Sequence, residues 1–200
     1  GLDRAIYKRT NEIPQTIHNT LKDIPENFNY LFVGHWLHGK AGHDRKDIST
    51  LIKTFCESFR NKRQRPGLIL KTSGATFSII DRDDMLLKIE KARKSAGADA
   101  PNVYLLHGDL SPEEMNGLYN HPKVKAHISF TKGEGFGRPL LEASSTGKPV
   151  IATNFSGHTD FLKHSILLPG EIQPIHKSVY WKDVLIPEAS WFYVNVKYAS

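Results

Sequence analysis

This chain has little of what would place it outside the cell or across a membrane. A single cysteine, Cys56, stands in 200 residues, so there is no disulfide framework of the kind that staples small secreted domains. It lies among Ile52, Phe55 and Phe59 in an amphipathic stretch, where a core thiol is expected rather than a nucleophile or a ligand. No apolar run approaches the length needed to cross a bilayer, and no basic segment followed by an apolar one and a cleavage site opens the chain. A soluble, non-exported protein of a reducing cytoplasm is expected. Repeats and low-complexity tracts are also missing. The chain opens on Gly1 rather than methionine, which suggests a fragment with sequence missing upstream.

Charge of one sign is in mild excess. The formal net charge is +6, but the cations are dispersed, and "RNKRQR" (Arg60 to Arg65) is the one dense cluster. It falls where a helix should end, where cations favour the negative end of the dipole. A nucleic-acid surface is therefore not expected, and a small phosphorylated ligand would suit the same potential. With 39% hydrophobic and 24% charged residues, the chain can bury one real core.

Short apolar runs alternate with amphipathic stretches. Residues 30–34, 68–72, 103–108, 125–130 and 149–153 read as buried strands. Between them, Asp47 to Phe59 and Asp83 to Ala96 show helical spacing, the second through Leu86, Leu87, Ile89 and Ala92. "SPEE" supplies an N-cap at Ser111, proline at the first helical position and Glu114 for a capping box. This rhythm predicts an α/β fold, a Rossmann-like parallel sheet with helices on both faces. Ligands of such sheets bind beyond the carboxyl ends of the strands. Residues 1–29 read as a linker carrying at most a short helix near His18 to Lys22. Residues 30–168 read as the domain, and 169–200 as an irregular, aromatic-rich tail packed on it.

The loop after the fourth strand, "TKGEGFGRPLLE", holds Gly133, Gly135 and Gly137 ahead of a helix expected to start between Gly137 and Pro139. Converging backbone amides there suit an anion. Yet Glu134 sits inside the loop, where it would repel a tightly packed pyrophosphate, and Glu142 lies within the helix rather than after the next strand. A ligand with phosphate on one side and hydroxyls on the other reconciles both, because a carboxylate accepts two hydroxyl donors well. A nucleotide sugar is such a ligand.

"EGFGRPLLE" is an E-x7-E pattern, and "SFTKGEGFGRPLLEASSTGKPVIATNFSG" resembles the donor site of retaining GT-B glycosyltransferases of the group-4 branch (glycosyl transferases group 1). "YLFVGHW", "DRKDISTLIKTF", "VYLLHGDLSPEEMNGLYNHPKVKAHISF" and "GLDRAIY" are similar to successive landmarks of the carboxy-terminal half of those enzymes. The resemblance implies two facing Rossmann-like domains, of which this chain is the second, donor-binding one. It implies that Glu134 contacts the sugar and that Gly135, Phe136 and Gly137 offer backbone to sugar or phosphate. Glu142 would hold the ribose, and Lys46 would bind the diphosphate and stabilise the leaving group. Lys46 and Glu134 are thus the implied catalytic pair. His107, Gly108 and Leu110 would receive the base, and Asn154 to Asp160 would lie near the donor sugar. The family's arginine after the first strand's glycine is absent: Gly34 is followed by His35, and a protonated His35, Arg45 or Arg138 would substitute, with Gly34 and His35 kept in the implied donor-binding set.

The partners implied are a nucleotide-sugar donor and an acceptor, whether glycan, lipid or protein, with a peripheral membrane contact through the missing half kept open. No cofactor and no metal is expected. His35, His38 and His43 match no common zinc spacing. Lys71 belongs to the donor-binding set or is simply a strand-end cation, and Lys46 and Arg45 could merely decorate the start of a helix. A lone donor domain should transfer little sugar. Two alternatives stay open: a sugar-nucleotide-binding module without catalysis, and a GT-B epimerase or phosphorylase.

Overall fold

A computed structural model describes residues 1–37, 42–74, 76–97, 99–180 and 185–199. Five helices are described, α1 (Gln15–Leu21), α2 (Ile48–Phe59), α3 (Ile79–Ser95), α4 (Pro112–Asn120) and α5 (Arg138–Ser144). The six strands of the main sheet are β1 (Asn29–Val33), β2 (Gly67–Lys71), β3 (Val103–Leu106), β4 (Val124–Ser129), β5 (Val150–Thr153) and β6 (Ile166–Leu168). Each neighbouring pair is parallel, in the order β3-β2-β1-β4-β5-β6. The order reverses between β1 and β4, so the loops leaving those two strands diverge and open a crevice.

Both faces of the sheet are covered, and the two-residue period of the strands separates the cores. Phe32, Leu68 and Leu70 pack against α2 and α3, while Leu31 and Ile69 point to the face covered by α1, α4 and α5. The parallel α/β architecture expected from the sequence is present. Helix α4 begins as expected: Ser111 accepts from the Glu114 amide and Glu114 reaches back to the Ser111 amide.

Helix α3 differs. It starts at Ile79, a full turn before Asp83, because Ser78 caps it by accepting from the Asp81 amide at 3.1 Å. Its buried face is carried by Met85 and Ile89, whereas Leu86 and Leu87 are exposed.

The tail expected to be irregular forms an antiparallel hairpin of β7 (Gly170–Pro174) and β8 (Ser190–Val194). Its pairing joins residues far apart in sequence, and Trp191 and Phe192 are consecutive and both buried, so no alternation announces the strand. No helix among the described residues is long and apolar enough to cross a membrane.

Candidate functional site

The crevice beside the β1–β4 switch is an open cleft of about 360 Å³, lined by Gly34, His35, Arg45, Lys46, Lys71, Phe77, Asp109, Met115 and Pro139 among others. Every strand of this half of the sheet ends there, so each loop that leaves it contributes.

The β1–α2 loop delivers two cations. Lys46 donates to Glu134 Oε1 in a short ion pair, with both side chains about nine-tenths buried. Arg45 Nη1 lies 3.1 Å from Glu134 Oε2 and donates to the Gly133 carbonyl at 2.7 Å. Thr131 Oγ1 adds a third donor to Glu134 at 2.8 Å. Burial pushes the Glu134 carboxyl up, but Lys46, Thr131 and Arg45 together hold it below its usual range. Burial likewise presses the Lys46 amine down, against the opposing pull of Glu134. Two cations therefore share one carboxylate, and the surplus positive charge faces the cleft.

The glycine loop is shaped by two residues outside it, Ser156 and Gly157. The Gly157 amide donates to the Glu134 carbonyl at 3.1 Å, and Ser156 both donates to that carbonyl and accepts from the Glu134 amide. A Cβ at Gly157 would stand 2.2 Å from the Gly135 carbonyl oxygen. Gly137 adopts φ +83, and a Cβ there would meet His158 at 2.9 Å, whereas Gly135 faces open space.

Lys71, at the end of β2, donates to the Gly108 carbonyl at 2.6 Å and lies 5.8 Å from the centre of the Phe77 ring. Burial lowers its pKa, with Asp109 opposing. His107 meets the edge of Phe77 and hydrogen bonds Asp81 Oδ2 at 2.8 Å. Burial raises the Asp81 carboxyl, but His107 and the Gly74 amide outweigh it and the net direction is down. His35 Nδ1 pairs with Ser73 Oγ at 3.2 Å.

The structure thus brings Gly34, His35, Arg45, Lys46 and Lys71 to one cleft, with Glu134 bonded to its cations and His107 and Gly108 bonded at its edge. Leu110 packs with the core on the α4 side, and Phe136 is exposed against Phe161. Glu142 stands apart: it is buried, accepting from Tyr119 Oη at 3.0 Å and from Arg138 Nε at 2.7 Å. Arg138 is therefore turned toward Glu142 rather than toward the cleft. Among the described residues no group of histidines, cysteines and carboxylates could hold a metal; His38 lies outside them. Sequence reasoning missed Phe77, Asp81 and Tyr119, and it singled out the stretches holding Thr131, Ser156 and Gly157 without giving those three residues a role of their own.

The sequence profile described as "Glycosyl transferases group 1" matches residues 40–172. The chain belongs to this family. Among curated glycosyl transferase relatives, a probable sucrose-phosphate synthase 5 of Oryza sativa subsp. japonica is 27% identical over 135 residues, covering 60% of this chain and 12% of that protein. The chain thus spans a small part of the curated relatives it matches. The C-terminal domain of a glycosyl transferase group 1 family protein, LpcC, from Francisella tularensis superposes with TM-score 0.57 at 16% identity, covering 84% of this chain and 80% of that one. Sucrose-phosphate synthase from Thermosynechococcus elongatus gives 0.59 at 18% identity, over 84% and 38% of the two chains. HepE of Anabaena, solved with UDP and glucose, gives 0.56 at 20%, over 84% and 41%. At these identities the superpositions establish the shared glycosyltransferase fold.

Proposed function

We propose that this chain binds a nucleotide-diphosphate sugar and serves as the donor half of a retaining hexosyltransferase. The observation that carries the reading is the Arg45–Lys46–Glu134 cluster at the strand-order switch, with surplus positive charge facing an open cleft. Lys46, Arg45 and Lys71 are suited to a diphosphate, helped by the amides of Gly135 and Gly137. Glu134 is suited to sugar hydroxyls and Glu142, once released by Arg138, to the ribose. The HepE complex with UDP and glucose supports a nucleotide-sugar ligand for this fold.

In the proposed reaction the anomeric C–O bond breaks and its electron pair passes to the diphosphate, while the acceptor hydroxyl oxygen bonds the anomeric carbon on the same face and gives its proton to a departing phosphate oxygen. Lys46 and the loop amides, fixed before the bond breaks, lower the barrier by meeting the charge that develops. That leaving-group stabilisation needs no metal. Residues 1–29 would carry the chain from an acceptor-binding domain, residues 30–168 hold the donor, and residues 169–200 pack on it.

Calorimetric titration with a panel of nucleoside diphosphates and their sugar conjugates tests this. Saturable binding of one base series is expected, and no binding of any would count against the donor site. A second reading, a binding module without catalysis, is favoured by His35, whose ring is engaged by Ser73 where the family resemblance leads one to expect an arginine. Sugar transfer to any acceptor by the full-length protein would remove it.

A further inference from the structure

Lys132 lies outside the E-x7-E motif and is fully buried. A buried ammonium persists only where it is paired. Its Nζ donates to the Gly42 carbonyl, lies 3.4 Å from Asp47 Oδ1, and sits 4.5 Å from the centre of the Tyr193 ring and 5.4 Å from that of Trp191. Burial lowers its pKa while Asp47 and Asp44 oppose. Its backbone is equally engaged: the amide donates to the Arg45 carbonyl at 2.8 Å, and the carbonyl accepts from the Phe192 amide at 3.0 Å. One residue therefore joins the β1–α2 loop, the glycine loop and the C-terminal hairpin.

The β1–α2 loop alternates in step with this. Asp44 and Asp47 are buried beside Lys132, and between them Arg45 and Lys46 reach Glu134. Asp47 also holds φ +51, a left-handed conformation uncommon for a residue with a side chain. Thr50 and Lys132 both engage its carboxylate there.

We infer that Lys132 is a positioning residue: held by the aromatic rings of β8, it fixes Asp47 and the Arg45 carbonyl so that Arg45 and Lys46 face the donor diphosphate. The C-terminal hairpin is thereby a working part of the donor site rather than a cover. This rests on the donor-site reading above. A mere core fastener would, when removed, weaken every part of the domain alike.

The test compares the full chain with Lys132→Met, Lys132→Arg and Tyr193→Leu. In Lys132→Met, amides of residues 45–47 and 133–137 should exchange with solvent faster, while those of β2 and β3 keep their protection. Affinity for UDP, ADP, GDP or CDP, whichever the unaltered chain binds, should fall about 10-fold, the scale expected when the support behind a ligand-contacting residue is removed. The matching nucleoside monophosphate, which lacks the second phosphate, should lose less, and Lys132→Arg should restore part of the diphosphate affinity. Unchanged exchange at residues 45–47 in a folded Lys132→Met, or equal losses for mono- and diphosphate, would overturn the inference. If Lys132→Met does not fold, Tyr193→Leu decides by the same two readouts. If the unaltered chain binds no nucleotide, the donor reading fails, and the exchange pattern alone judges whether Lys132 orders the turn.

Discussion

Glu134 and Glu142 belong to one motif and sit in unlike surroundings. Glu134 lies on a loop at the cleft, matched by two cations and a hydroxyl. Glu142 lies one helix deep, between a phenol from α4 and an arginine whose side chain is 71% exposed. The first carboxylate is poised by charges that a phosphorylated ligand would also seek. The second is held by neighbours that a ligand would have to displace. The same residue type at two points of one motif is thus prepared in two ways, one electrostatic and open, the other packed and latched.

The largest effect should come from the open site. Lys46→Met removes the cation most tightly coupled to Glu134, and nucleoside diphosphate affinity should drop on the order of 100-fold by calorimetry. At the packed site the first probe is His127, buried against Tyr119 with the two rings meeting edge to face. Burial lowers its pKa from 6.5 to about 3. A depressed histidine contributes stability that is present above its unfolded pKa and lost as pH falls toward the folded one. His127 should therefore cost the chain about 1.4 kcal/mol per pH unit below pH 6.5 in urea unfolding, beside a like contribution from His121, whose pKa burial lowers to about 4, and His127→Phe should remove about half of that slope.

Glu142→Ala leaves the buried Tyr119 hydroxyl without its acceptor and should cost about 2 kcal/mol of stability, together with weaker nucleotide binding. Glu134→Gln separates the two roles further. Affinity for the sugar conjugate should fall about tenfold with loss of the charged acceptor, while the bare diphosphate, relieved of a competing carboxylate, binds no worse. Arg138→Ala should be the mildest, costing about 1 kcal/mol, because the arginine end of the pair is solvated and Tyr119 still donates to the buried Glu142. If Arg138→Ala weakened the fold as much as Glu142→Ala, the latch description would be wrong.

Much of the scaffold was legible because its signals are local. Strand runs, the Ser111 cap and the spacing of α2 each need only a dozen neighbouring residues, and the fold they specify is the one observed. The face of α3 was half read: Ile89 and Ala92 pack on the core as their spacing predicts, but Leu86 and Leu87 are as apolar as Met85, and only the packing of α2 decides which are covered. The hairpin was invisible for a related reason, since Gly170 pairs with Val194 across a long intervening segment. At the candidate site, Lys46 and Glu134 stood out through their motif. Lys132 did not, because a lysine in a glycine-rich loop reads as solvated until the aromatic strand is seen closing over it.

Gly135 and Gly157 answer to different authorities. Alanine at Gly135 would touch nothing in the protein, so a demand for glycine there would have to come from a ligand. Alanine at Gly157 would collide with the backbone of the loop it braces. A lineage that gave up its ligand would be free to drift at the first position and bound at the second. Descendants with Gly157 kept and Gly135 lost would mark the point where binding ended and the architecture carried on.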